Sequence, residues 1–339
     1  MTDTKRRHRE PVVLLAASSG GHLHEMRLLA PRIVPPGYRT EWLVPAGSQA
    51  EELSAFDRVH IVHDTPPRDW RAMARDIKPC LRVIREVDPA AVVSTGAGLA
   101  LAALGGARAL GVDAHYIESA ARTVGPSLTG RLVSKVPGVH LRNQWPTWVS
   151  SRWSTTGSVF DGFVGHRNAS AVRLDRVVVT LGTQPGFGFR RLVERLLEII
   201  PDSADVLWQT GCTDVSDLGI AAQPYLNPVE MRAAMRKADL VIAHAGIGSA
   251  LGALEGGHLP VLVPRRKAFG EHIDDHQATL GRAIGGLGLA VFREVEEIGM
   301  RDLRVAAAAR VHQQELSPLP LGGRLTYVPI EPARLDRAS

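Results

Sequence analysis

Aromatic residues are scarce in this chain, with six Trp, four Tyr and seven Phe among 339 residues. Proteins that hold single-stranded nucleic acid stack bases on rows of rings, so this scarcity leaves no such platform and excludes nucleic acid as the expected partner. Cysteine is nearly absent as well. Cys80 and Cys212 are the two present and lie in different halves, so no disulfide framework is expected, as in a reducing cytoplasm. Long apolar runs are missing too. The longest, residues 97–112, contains five Gly or Arg residues and is too short to span a bilayer. The basic start (Lys5, Arg6, Arg7, Arg9) is not followed by the apolar core of a signal peptide.

What is present is ordinary for a soluble globular protein, with 45% hydrophobic and 22% charged residues. The length suggests two domains. The net charge of +5 is unevenly spread: residues 1–165 hold 20 Lys and Arg against 15 Asp and Glu, and residues 166–339 hold 20 of each. Two readings stay open. The excess is chance plus a basic tail, or the N-terminal half meets an anionic surface such as a membrane or a lipid phosphate.

Short apolar runs alternate with helical spacing along both halves. Strands are predicted at 12–16, 40–44, 59–62, 91–94, 114–117 and 139–141, the last closing the first half. Helices are predicted at 23–33, 70–86 and 98–110. Residues 150–175, rich in Ser, Thr, Gly and His, read as a linker. The pattern then restarts. Strands are predicted at 176–181, 205–209, 240–243 and 259–263. Helices are predicted at 189–200, 228–237, from 249, at 275–284 and at 300–314, and the tail after Leu316 reads as loosely ordered. Strands alternating with helices imply two α/β domains with parallel sheets, divided as 1–165 and 166–339.

Three turns carry chemistry. Residues 240–243 lead into His244, Ala245, Gly246, Gly248 and Ser249, where a helix begins at once. A helix N-terminus with free N–H groups and a positive dipole end suits a phosphate. Glu255 is the one acid of an otherwise apolar helix, and a carboxylate there needs a partner such as ribose hydroxyls. Gly182, Thr183 and Gln184 form a second strand-to-helix turn, an ordinary capped turn or a second phosphate cradle. The spacing of Gly182, Gly186 and Gly188 is not the dinucleotide fingerprint. Arg265, Arg266 and Lys267 form a solvated loop or neutralise a diphosphate. His272 and His276, with Asp275 between them, have metal-ligand spacing but lack an evident third ligand set, so no metal is expected. In the N-terminal half, Ser19, Gly20, Gly21 and His22 make the third turn.

The run VVVTLGTQ at 177–184, with residues 244–277, resembles the C-terminal, donor-binding domain of glycosyltransferase family 28. The stretch from Ser18 to Leu23, residues 94–98, residues 116–132 and Gln144-Trp145-Pro146 are similar to the membrane-recruiting partner subunit of split N-acetylglucosaminyltransferases, so the chain looks like both subunits fused. The resemblance covers most of residues 12–290. It implies a GT-B fold of two Rossmann-like domains facing across a cleft, and an inverting transfer from a UDP-sugar to a lipid-linked or glycan acceptor. Enzymes of this kind build cell-surface polysaccharides at the inner face of the membrane. The implied donor residues are Gly182, Thr183, Gln184, His244, Ala245, Gly246, Gly248, Ser249 and Arg265, with Glu255 on the ribose and Gln277 and His276 on sugar hydroxyls. The acceptor side takes Ser19, Gly20, Gly21, Gly96 and Arg122. His22 and Glu118 are the two candidate bases, with His22 favoured by its ordinary pKa. Helix capping by His22 and a structural hydrogen bond by Glu118 remain the plain alternatives. No cofactor is implied, since helix termini and Arg or Lys can carry the leaving-group charge. Rival readings are a UDP-sugar 2-epimerase on the same fold, a transferase acting on a soluble natural product, and a non-catalytic binding subunit.

Overall fold

The computed structural model describes residues 10–64, 69–167 and 172–325; Lys5, Arg6, Arg7, Arg9 and the chain beyond 325 lie outside the described residues. The first half runs β1 (Val12–Ala16), α1 (Gly21–Ile33), β2 (Arg39–Pro45), α2 (Ser48–Ser54), β3 (Arg58–Val62), α3 (Trp70–Val87), β4 (Ala91–Ser94), α4 (Ala97–Ala109), β5 (Asp113–Ile117), α5 (Leu128–Val133), β6 (Val139–Asn143) and β7 (Ser154–Thr155). Among the described residues these strands form one parallel sheet in the order β3-β2-β1-β4-β5-β6-β7. After β8 (Phe163–Arg167) the second half runs β9 (Arg176–Thr180), α6 (Arg190–Ile199), β10 (Asp205–Gln209), β11 (Ala222–Gln223), α7 (Pro228–Lys237), β12 (Leu240–His244), α8 (Ile247–Glu255), β13 (Val261–Val263), α9 (His276–Gly286), β14 (Val291–Phe292), α10 (Met300–Ala307) and β15 (Ala309–Gln313). Its parallel sheet has the order β11-β10-β9-β12-β13-β14. The central strands are apolar without alternation, VVLLA in β1 and VVV in β9, because helices cover both faces of a parallel sheet.

Both sheets reverse direction at one place. From β1 the chain winds outward through β2 and β3, then returns to the other side of β1 at β4; from β9 it winds through β10 and β11, then returns at β12. Such switch points leave a crevice beyond the carboxyl ends of two neighbouring strands, and ligands bind there in open α/β sheets. One continuous apolar cluster joins the domains, running from Leu23 and Met26 of α1 through Phe160 and Phe163 to Leu251, Leu254 and Leu280. No helix among the described residues is long and apolar enough to cross a membrane.

Four expectations are corrected. Residues 150–175 are not an unstructured linker: β7, a short turn of helix at Val159–Gly162 and β8 lie within it. Its polar composition masks four core anchors, Trp153, Val159, Phe160 and Phe163. The helix expected at 300–314 ends at Ala307, and residues 309–313 form β15, antiparallel to β8. Ala309 and Val311 face inward with a period of two, the strand periodicity. Residues 317–325 are ordered. They cross back to the N-terminal domain, where Leu321 and Leu325 are fully buried, the Leu319 amide donates to Arg32 O at 2.6 Å, and Tyr38 Oη donates to Arg324 O at 3.0 Å. Residue 141 is also not the end of the first sheet, since β7 pairs with β6.

Candidate functional site

At the N-terminal switch point, Gly20 takes φ 84° and Gly96 takes φ 129°, conformations that glycine adopts at little cost. His22 stands between the two turns. Its Nδ1–H donates to Thr95 O at 3.1 Å, and Thr95 Oγ1 returns a bond to His22 O at 3.0 Å. The neutral ring therefore presents Nε2 as a lone pair. A Cβ on Gly96 would lie 2.9 Å from His22 Cε1, so the ring needs a glycine beneath it. Ala97, the next residue, is held at φ 60°, a strained conformation for a residue with a Cβ. Burial, with Arg122 nearby, lowers the His22 pKa to about 4. The ring is neutral at pH 7, and only a nearby negative charge would strengthen it as a base.

Behind His22 lies a layer of buried carboxylates. Glu25 sits one turn further along α1. It is fully buried and accepts from Ser119 Oγ at 2.8 Å, the Ala120 amide at 2.6 Å and Gln144 Nε2. Burial raises its pKa to about 7. Glu118 accepts from the Ser127 amide at 2.9 Å, Ser127 Oγ at 3.1 Å and Tyr116 Oη at 3.1 Å, and burial raises its pKa too. Together the two acids pin the loop from Glu118 to Ser127 against α1, and that loop carries Arg122.

At the C-terminal switch point the arrangement is repeated with opposite charge. His244 Nδ1–H donates to Thr180 O at 3.4 Å. A Cβ on Gly182 would lie 2.6 Å from the ring, and one on Gly246 would run into it, so this imidazole fills the gap between both glycine turns. Burial and then Arg265 lower its pKa to about 3. Arg265 is 1% exposed. Its backbone N–H donates to Gln277 Oε1 at 3.0 Å, and its NH2 group donates to Leu181 O. Nε and NH1 are buried with no partner. A buried guanidinium with unused donors is costly, and here it lies beneath the Gly182 turn. Ser249 Oγ contacts His244 Nδ1 at 3.4 Å. Helix α8 has Gly246 at its N-cap and no side-chain cap, and α1 and α4 likewise have uncapped glycine N-caps. Three helices therefore open onto the cleft with free N–H groups and positive ends.

The two switch points touch. A Cβ on Gly21 would lie 2.6 Å from Ile247 Cγ2 and 3.4 Å from the Gly248 nitrogen. Polar pairs flank this contact: His24 Nε2 with Glu255 Oε2, Arg232 with Glu52 at 2.9 Å, Arg27 with Glu52 at 3.1 Å, and Arg122 with Asp274 at 3.5 Å. Beside them a cavity of about 240 Å³ is walled by His24, Arg27 and Gln49 on one side and Pro228, Met231, Ser249 and Glu255 on the other. His272, Asp274 and His276 bring ligand atoms within 4.8 Å of one another, a donor set that suits a zinc-like ion. The acid between the rings is Asp274. Asp275 instead accepts from the Lys267 amide at 3.2 Å. The hydrogen bond from His276 holds Asp274 well below the usual carboxylate range, and Arg122 and the positive end of α9 oppose a cation there.

Of the predicted donor residues, Gly182, His244, Ala245, Gly246, Gly248, Ser249, Arg265 and Gln277 converge at the C-terminal switch point. Thr183 and Gln184 follow Gly182 but do not start a helix: α6 begins only at Arg190, so that turn is a loop and not a helix N-terminus. Of the basic run, Arg265 alone points inward; Arg266 binds Glu294 at 2.9 Å. Glu255 and His276 face the cleft, paired with His24 and Asp274. On the acceptor side Ser19, Gly20, Gly21, His22, Gly96 and Arg122 line the cleft, while Glu118 is enclosed behind them. Sequence reasoning missed Glu25, His24, Gln49, which accepts from the Gly20 amide at 2.6 Å, and Met231. Glu25, three residues after His22 on a helix that is otherwise apolar on that face, was the one visible signal.

Residues 176–297 match the glycosyltransferase family 28 C-terminal domain. No curated protein matches the chain significantly by sequence. Among solved structures, MurG of Acinetobacter baumannii aligns with a TM-score of 0.55 at 19% identity over 87% of this chain and 89% of its own. The glycosyltransferase SsfS6 of Streptomyces sp. SF2575, complexed with thymidine diphosphate, gives 0.51 at 18% over 88% and 90%. A putative UDP-N-acetylglucosamine 2-epimerase of Listeria monocytogenes gives 0.53 at 13% over 94% of both chains. At such identities the structural likenesses establish the fold. Residues 176–297 thus carry the glycosyltransferase family 28 C-terminal domain, and the two facing parallel-sheet domains of the chain have the GT-B fold.

Proposed function

We propose that the chain is an inverting transferase that moves a hexose-type sugar from a UDP-sugar to a lipid-linked or glycan acceptor in cell-surface polysaccharide synthesis. The observation that carries this reading is Arg265, buried with two unused donor groups beneath the Gly182 turn and beside the free N-terminus of α8. Together they suit a diphosphate, whose charge grows as it leaves. Across the cleft, His22 Nε2 takes the proton of the attacking acceptor hydroxyl while the oxygen bonds to the anomeric carbon and the bond to the diphosphate breaks. Burial, helped by Arg122, keeps the ring neutral beforehand, and the developing negative charge raises its basicity as the proton moves. Glu255 accepts from ribose hydroxyls, and His276 and Gln277, at the start of α9, from sugar hydroxyls. Glu118 and Glu25 position the acceptor loop and its Arg122. With Arg265 and the helix ends holding the leaving group, no divalent ion is strictly required.

The acceptor side supports a lipid-linked substrate. Val124, Leu128, Leu132 and Val149 are exposed. The segments that carry them are tied together, since Thr147 and Trp148 bond to the 122–123 backbone and Arg152 bonds to Ser134 O and Val136 O. The same segments carry Arg131, Lys135 and Arg152, and apolar residues mixed with basic ones suit an anionic membrane surface. We propose that the protein works at the cytoplasmic face of the membrane, a reading that these residues support. The direct test measures UDP release from a panel of UDP-sugars with lipid-diphosphate sugar acceptors and anionic vesicles. Full activity and UDP affinity in Glu255→Ala would refute the donor assignment. The resemblance to the putative epimerase supports a second reading on the same site. Formation of a new UDP-sugar without acceptor would favour it, and UDP release that depends on acceptor would exclude it.

A further inference from the structure

We propose that His24 reads the donor's pentose together with Glu255, so that the N-terminal domain completes the nucleotide site. This rests on the donor reading above and deepens it. His22 and His24 sit two residues apart on α1, so they project in different directions. His22 turns back to Thr95 in its own domain. His24 crosses the cleft, and its Nε2 meets Glu255 Oε2. Both side chains are partly open, at 22% and 30% exposure, on the wall of the same 240 Å³ cavity. The ring lies over Gly252 of α8, where a Cβ would stand 3.8 Å from His24 Cε1.

The chemistry of a cis-diol explains why two residues are needed. Each hydroxyl offers one proton and two lone pairs, and a carboxylate only accepts. Glu255 alone binds the protons and leaves the hydroxyl oxygens without a donor. An imidazole N–H supplies it. The pair thus matches a ribose in both senses, and a sugar lacking one hydroxyl leaves a charged or polar group unpaired in a narrow cleft, the arrangement that discriminates most strongly. Because the two groups belong to different domains, the same contact links pentose recognition to closure.

The test is calorimetric binding of UDP, 2′-deoxy-UDP and 3′-deoxy-UDP to the full chain and to His24→Ala, His24→Gln and Glu255→Ala. The wild type is expected to prefer UDP over at least one deoxy analogue by about 10- to 100-fold. His24→Ala should weaken UDP by about tenfold and that analogue by less than about twofold, contracting the preference. His24→Gln, which keeps an N–H donor, should recover part of it. Should His24→Ala weaken all three nucleotides equally, or none, with both preferences intact, His24 only holds the domains together and the proposal is overturned. Failure of wild-type protein to bind UDP overturns the donor reading itself, a separate result. Thermal melting of each variant checks that it is folded.

Discussion

The two switch points are built alike and charged oppositely. Each places a neutral histidine on a glycine, bonded through Nδ1 to a carbonyl of the neighbouring turn, His22 to Thr95 and His244 to Thr180. Behind His22 stand two buried carboxylates, Glu25 and Glu118; beside His244 stands a buried guanidinium, Arg265. On the proposed reading the same backbone solution serves two chemical tasks, and the side chains behind the histidine decide which. Cationic surroundings suit a diphosphate. Carboxylates that anchor a loop suit the positioning of an uncharged hydroxyl beside a base.

Replacing the two histidines is the strongest way to break this contrast. His22→Gln is expected to lower kcat by about 10²- to 10⁴-fold, the range for a lost general base. His244→Gln should act mainly on the KM of the donor. Equal losses of kcat in both would dissolve the distinction. Arg265→Met should cost about 10²- to 10³-fold in kcat. Melting should show the variant as stable as the wild type or more so, because an incompletely paired buried cation is itself unfavourable.

A third prediction uses pH. Unfolded, Glu25 titrates near the usual value of about 4.3, whereas folded it titrates at about 7. Between those values the native state holds the extra proton, so the Glu25 contribution to stability falls as pH rises. Relative to wild type, Glu25→Gln should therefore gain about 3 kcal/mol between pH 4.5 and pH 8, read by urea denaturation at both pH values. His22 and His244 work in the other sense. Their folded pKa values of about 4 and 3 lie below the unfolded value of about 6.5, so their contributions are lost as pH falls through that window. The smallest effect belongs to the flanking pairs. Arg232→Ala breaks a partly exposed contact with Glu52 and should change stability by less than about 1 kcal/mol.

Much of this was legible in the sequence, for physical reasons. The parallel strands announce themselves as unbroken apolar runs, and the turns at Gly20, Gly182 and Gly246 stand where runs stop and small residues begin. What was hidden depends on contacts distant in sequence. Glu25 gains its meaning from Ser119, Ala120 and Gln144. Nothing local distinguishes Arg265 from Arg266 within a basic run, because the selection is made by Leu181 O and Gln277. Glu255 was legible as an acid needing a partner, but the partner in the structure, His24, lies more than two hundred residues away. Residues 309–313 were read as helix because the apolar spacing of α10 runs into them, whereas pairing with β8 decides otherwise.

The return of residues 317–325 to the N-terminal domain has a mechanical consequence. Among the described residues the polypeptide passes between the domains twice, once outward by way of β8 and once back after β15, and these two strands are hydrogen-bonded to each other. Two passages tied side by side resist sliding and shearing and leave bending across them as the soft mode. A cavity of about 240 Å³ is smaller than ordinary ligand clefts of about 300–1,000 Å³, so on the proposed reading a whole nucleotide sugar requires the jaws to part. They would swing like a book on its spine, with the tips of α1 and α8 travelling furthest and the β8–β15 ribbon scarcely moving.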